Sequence, residues 1–140
     1  MELRVAVIQE PSGLDPEGNR ARLADLTPAD QDLVVFPEAF ARDFGEAGSD
    51  VSAFAEDVDG PFTAEVARVA AERRTTVVAG MFERSDDPAR PFNTLVLRGA
   101  AHADYRKIHL YDSFGYRESD VLTAGPISPL TFEVGGLTVG

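Results

Sequence analysis

The sequence predicts an α/β layered fold, and three features carry that reading. Short apolar runs and amphipathic stretches follow one another in the order strand, helix, strand, helix, strand, strand, strand. One run, Leu33-Val34-Val35-Phe36, is apolar without a break, as parallel strands are when both faces are covered. After Gly60-Pro61, Phe62, Val66, Val69 and Ala70 fall on one stripe of a helix, with Glu65, Arg68 and Glu72 on the outer side at ion-pair spacing. With 140 residues, 44% of them apolar, the chain has the size of one domain with its own core, residues 1–140.

Taken in order, residues 3–9 (Leu-Arg-Val-Ala-Val-Ile-Gln) read as a buried strand closed by Pro11-Ser12-Gly13. Asp15-Pro16-Glu17 then opens a helix. Asp15 caps the free N–H groups, Pro16 gives up nothing at the first helical position, and Glu17 suits the positive end of the dipole. Thr27-Pro28 ends that helix near Leu26. Residues 39–59, rich in Asp, Glu, Gly and Phe, show no period and are expected to form a long surface loop with a short helical turn. The second helix covers roughly residues 62–74, followed by a strand over 75–82. Asn93 to Leu97 and residues 103–110 are spaced as a hairpin about Arg98-Gly99-Ala100. Residues 111–121 are irregular, polar and aromatic, and residues 131–140 form a further hairpin.

Composition narrows the function classes. The net charge is −11, and nearly all of the excess lies in residues 1–60, with fourteen acidic side chains against four basic. Nucleic acid and anionic membrane surfaces need clustered Lys and Arg, so neither is an expected partner. No run approaches a membrane span, and the first residues lack the pattern of a signal peptide, so the expected location is cytoplasmic. There is no cysteine, which excludes disulfides, thiolate metal sites and a cysteine nucleophile within these residues. With two histidines, His102 and His109, a metal site has little to build on.

Of thirteen basic residues twelve are arginine, and the exception is Lys107. An Arg is a planar, permanently charged fork, whereas a Lys is a compact charge that can lose its proton, so the two are not interchangeable at a reacting centre. Lys107 is therefore a catalytic candidate, although a plain exposed lysine at a strand end fits the same fact. Glu38 follows a buried strand, where α/β folds keep their ligands, and Glu118 stands near another strand end. A lysine between two carboxylates holds them ionised while one carboxylate accepts a proton from an attacking group; a salt-bridge role is the competing reading of all three.

Phe36-Pro37-Glu38, Tyr105-Arg106-Lys107-Ile108-His109-Leu110 with Tyr111-Asp112, and Glu118-Ser119-Asp120 before Ala124-Gly125 together resemble the nitrilase superfamily of carbon-nitrogen hydrolases. Val5-Ala6-Val7-Ile8-Gln9, Val77-Val78-Ala79-Gly80 and Asn93-Thr94 extend the resemblance over the whole chain in the right order. The lysine block most resembles the branch with ω-amidase and deaminated-glutathione amidase. The resemblance implies a four-layer αββα sandwich, of which residues 1–140 are the N-terminal portion of a single domain covering about half the fold. It also implies a Glu-Lys-Cys mechanism on a small carboxamide, with no cofactor and no metal. Glu38 corresponds to the general base, Lys107 to the oxyanion-stabilising lysine, and Glu118 to the supporting glutamate. Asn93 is expected as a satisfied buried amide and His109 as a structural partner beside the pocket, with Phe114 and Tyr116 at its entrance or packed in a loop.

By the same resemblance the cysteine nucleophile belongs about four residues past Gly140, so these residues alone are expected to be inactive. Ser113 and Ser119 do not sit on the matching strand. Family members pair through their sandwiches, which implies a homo-oligomer. A non-catalytic homologue that binds a ligand or pairs with another subunit is the alternative from a different class.

Overall fold

The computed structural model describes all 140 residues. Val5–Val7 (β1), Leu33–Val35 (β2) and Thr76–Glu83 (β3) lie parallel, in register Ala6 to Val34 to Val77. Phe92–Arg98 (β4) and Ala103–Arg106 (β5) extend the sheet antiparallel, so the five strands lie in sequence order. The parallel strands are joined through Pro16–Leu26 (α1) and Pro61–Arg73 (α2). Two crossovers of the same hand stepping in the same direction put both helices on one face. There Leu23, Phe62, Val66, Val69 and Ala70 pack against Val34, Phe36, Val77, Ala79, Met81 and Val96, which form the main core.

Both helices start as their sequences dictate. Asp15 Oδ1 accepts the Glu17 N–H at 3.1 Å, and Thr27 Oγ1 closes the far end of α1 on the Leu23 carbonyl at 2.7 Å. The α2 N-terminus is closed from outside the helix: Glu56 Oε2 accepts the Phe62 N–H at 2.8 Å. Arg68 bridges Glu65 and Glu72 on the solvent side. No helix is long and apolar enough to cross a membrane.

Beyond β5 the chain forms a small ribbon, Asp112–Ser113 (β6) with Tyr116–Arg117 (β7), then a 3-10 turn at Glu118–Asp120. Phe132–Val134 (β8) and Leu137–Val139 (β9) make a hairpin through Gly135-Gly136, both with positive φ, as a two-residue hairpin turn requires. Val134 lies against Leu33, Val78 and Leu97 on the sheet face opposite the helices.

Three expectations are corrected. The strand expected over residues 3–9 pairs only at Val5–Val7, and Val5 and Val7 are exposed, at 46% and 68%. β1 is an edge strand whose helix-facing residues, Ala6 and Ile8, pack on the core while the other face is uncovered. Residues 39–59 are not a surface loop throughout. Ala39, Phe40, Ala41, Val51 and Ala55 are buried, and the Phe40 ring lies 4.9 Å from that of Phe36. The strand expected over 103–110 ends at Arg106.

Gly80 in β3 permits a close approach of two backbones beside Glu38. A Cβ at this position would stand 2.3 Å from the Ala39 backbone nitrogen and 2.9 Å from the Glu38 carbonyl carbon. The turn after β2 therefore lies directly on β3, where the Ala41 N–H bonds the Gly80 carbonyl at 2.9 Å. Neither backbone can yield without breaking sheet bonds, so Gly80→Ala is expected to cost about 2–4 kcal/mol of unfolding free energy, read by urea denaturation. A loss below about 0.5 kcal/mol, the usual effect of a surface change, would contradict this packing.

Candidate active site

The Glu38 side chain leaves a backbone forced into a sharp turn, since Ala39 adopts φ +51, a value rare for a residue with a side chain. On the neighbouring strands Asn93 lies in β4 and Lys107 directly follows β5, with the Lys107 N–H still bonded to the Asn93 carbonyl at 2.8 Å. Glu118 opens the 3-10 turn, and its carboxylate accepts the Tyr111 N–H at 2.8 Å.

These positions bring the three candidate side chains together. Lys107 Nζ lies 3.1 Å from Glu38 Oε1, and it straddles Glu118 at 3.2 Å from Oε1 and 3.0 Å from Oε2. Asn93 Nδ2 donates to Glu38 Oε1 at 2.6 Å. The two acids differ in setting. The Glu118 side chain is 8% exposed and the Glu38 side chain 53%. Burial pulls the Lys107 ammonium toward its neutral form, but the hydrogen bonds to Glu118 and Glu38 and their negative charges outweigh it, so its pKa lies above the ordinary lysine value.

The remaining expected residues fare differently. Asn93 is buried, and its Nδ2 is engaged by Glu38. Tyr116 is half-buried, its ring 6.3 Å from that of Tyr111, and burial together with the nearby Glu118 charge raises its phenol pKa. Phe114 is not packed in the core or a loop: it stands at the tip of the β6–β7 turn, 98% exposed. His109 is exposed and makes no side-chain hydrogen bond, because the in-and-out alternation stops where β5 ends. The larger cavities also lie elsewhere. One of about 590 Å³ is bordered by Asp32, Arg74, Arg98 and His102, and an apolar one of about 390 Å³ lies between the sheet and the β8–β9 hairpin.

The sequence profile of carbon-nitrogen hydrolases matches residues 4–140. The chain belongs to the carbon-nitrogen hydrolase family. A hydrolase of Mycobacterium tuberculosis is 40% identical over 99% of this chain and 51% of its own length. The deaminated glutathione amidase of Escherichia coli O157:H7 is 36% identical over 84% of this chain and 45% of its own. A CN-hydrolase superfamily protein of Xanthomonas campestris superimposes with a TM-score of 0.82 at 30% identity, covering 99% of this chain and 52% of that one. An amidase of Nesterenkonia AN1 from the nitrilase superfamily gives 0.75 at 25%, covering 97% and 53%. The chain thus spans about half the length of the relatives it matches, and its fold is the nitrilase α/β fold over that part.

One group escaped the sequence reading. Glu83 is buried on β3, where its carboxylate accepts Arg106 Nη2 at 2.5 Å, Arg106 Nε at 2.9 Å and Thr94 Oγ1 at 2.7 Å. Arg106 also stacks over the Phe92 ring at 4.6 Å. Successive residues point to opposite faces of a ladder, so Thr94 and Arg106 meet Glu83 on one face while Asn93 and Lys107 meet Glu38 on the other. The available signal was the Arg106-Lys107 pair itself: two adjacent cations on a strand cannot serve the same face.

The raised Lys107 pKa fixes a pH dependence. The ion pairs stabilise the folded chain fully below the unfolded lysine value of about 10.4, and that contribution is lost as pH rises through the higher folded value. Unfolding free energies of the wild type and Lys107→Met are therefore expected to differ by a constant amount from about pH 7 to 10, with the gap closing above. A gap that stays constant well above that range would remove the ion-pair account.

Proposed function

We propose that residues 1–140 supply the acid, cation and supporting carboxylate of an amidase that hydrolyses a small carboxamide through a cysteine thioester. The observation that carries the reading is the single ammonium of Lys107 held between Glu38 and Glu118. None of these residues is a cysteine, so the thiol comes from outside them. The Nesterenkonia amidase, 25% identical, has an active-site cysteine to which acrylamide adds in one of its mutants.

In this reading Glu38 takes the thiol proton as sulfur attacks the amide carbon, and the carbonyl oxygen becomes an oxyanion beside Lys107 Nζ. Glu38 then returns the proton to the nitrogen as the C–N bond breaks, releasing ammonia or an amine and leaving a thioester. Water attacks the thioester while Glu38 takes its proton, the C–S bond breaks, and the proton goes back to sulfur as the acid leaves. Glu118, with its oxygens engaged by Lys107 and by the Tyr111 N–H, holds the lysine in place. The similarity to deaminated glutathione amidase favours a small carboxamide as substrate. The reading carries with it pairing of the whole protein with a second copy.

Protein expressed from its complete reading frame should release one ammonia per carboxylate formed from such amides. Glu38→Gln and Lys107→Met are each expected to lower kcat by about 10²–10⁴, the usual worth of a general base or an oxyanion donor. Wild-type protein that is folded and releases no ammonia from a panel of short carboxamides would overturn the proposal.

A further inference from the structure

We infer that Asn93 is a positioning residue of this site: its amide commits Oε1 of Glu38 and so leaves Oε2 as the oxygen that exchanges protons. This inference rests on the amidase reading and assigns the chemistry to one atom of it. Glu38 Oε1 accepts two hydrogen bonds, from Asn93 Nδ2 at 2.6 Å and Lys107 Nζ at 3.1 Å, while Oε2 accepts none from the protein. Glu118 is the opposite case, since Lys107 reaches both of its oxygens and the Tyr111 N–H adds a further bond to Oε2. Of the four carboxylate oxygens around the ammonium, only Glu38 Oε2 accepts no hydrogen bond from the protein.

Burial and backbone make Asn93 the group that maintains this asymmetry. Glu38 is on a turn with its side chain half in solvent, so by itself its carboxylate is free to rotate about χ3 and exchange its oxygens. Asn93 is 4% exposed and built into β4 opposite Phe82, so its amide is fixed by the sheet. Asparagine is disfavoured in strands, where a β-branched or aromatic residue packs better, so its presence at a buried strand position needs a polar reason. The same residue accepts the Lys107 N–H through its carbonyl at 2.8 Å. One residue therefore holds the acid by its side chain and the cation by its backbone.

The test uses protein from the complete reading frame. Asn93→Leu, which keeps the branched shape and removes the donor, is expected to lower kcat about tenfold to a hundredfold, with KM nearly unchanged. Asn93→Asp, of the same shape but without an N–H donor, should lose at least as much. A folded Asn93→Leu or Asn93→Asp that keeps full kcat, or that changes KM alone, overturns the inference. If the Asn93 variants do not fold, Glu38→Gln decides, because it leaves Asn93 in place: the Asn93 side-chain NH₂ resonances should move upfield when the charged acceptor is removed, and their failure to move overturns the inference. Resonances that do move in a wild type inactive on every amide would remove the amidase reading while leaving the Asn93–Glu38 hydrogen bond standing.

Discussion

Two carboxylates held within hydrogen-bonding reach of one point in a partly buried site repel unless a cation sits between them, and in this molecule the cation is Lys107. The pairing joins parts of the chain that are otherwise remote, with Glu38 and Glu118 lying 69 and 11 residues from the lysine. Everything near the site is arranged to keep those tips together. Gly80 lets the turn bearing Glu38 lie on β3, and Ala39, Phe82 and Leu122 pack in one cluster that ties that turn to the segment bearing Glu118. An arginine in place of the lysine would present a wide fork to two acids at different depths, where a tetrahedral ammonium reaches both.

The β4–β5 ladder carries a second acid–base pair on its reverse side. Glu83 and Arg106 satisfy one another with Thr94, and a mismatch of one residue in strand register would bury Lys107 against Glu83 and turn Arg106 toward Glu38. The buried pair thus fixes which cation faces which acid. Breaking such a pair by removing one partner usually costs several kcal/mol, roughly 3–5 when both members are fully buried, and Arg106 is 38% exposed, so the cost here falls below that range.

How much of this was legible in the sequence depends on the kind of signal each part leaves. The helices announced themselves through Asp15-Pro16, Gly60-Pro61 and the stripe from Phe62 to Ala70, and their bounds agree to within a residue. Lys107 was visible because it is the single lysine, and Glu38 because it follows a buried strand. The inward course of residues 39–59 was hidden, because Phe40 and Val51 reach the core from irregular backbone with no period to detect. His109 and Phe114 were named as neighbours of the pocket, but His109 lies past the end of β5 and Phe114 at the turn of the β6–β7 ribbon, and both are exposed. The Glu83–Arg106 pair left no motif, since its partners come from separate strands and meet through register alone.

The Tyr111 N–H and the Glu118 carboxylate, with the reciprocal bond from the Glu118 N–H to the Tyr111 carbonyl at 3.0 Å, pinch the chain shut at the base of the β6–β7 ribbon. The clasp holds Glu118 at the base of the ribbon, at the end away from the Phe114-Gly115 tip. The Phe114-Gly115 tip can therefore be lengthened, shortened or rewritten without shifting Glu118, because closing a somewhat longer loop over a fixed base adds only a few tenths of a kcal/mol, about 0.6 for each doubling. Evolution has in that tip a place to vary what approaches the site while the acid beneath stays where it is.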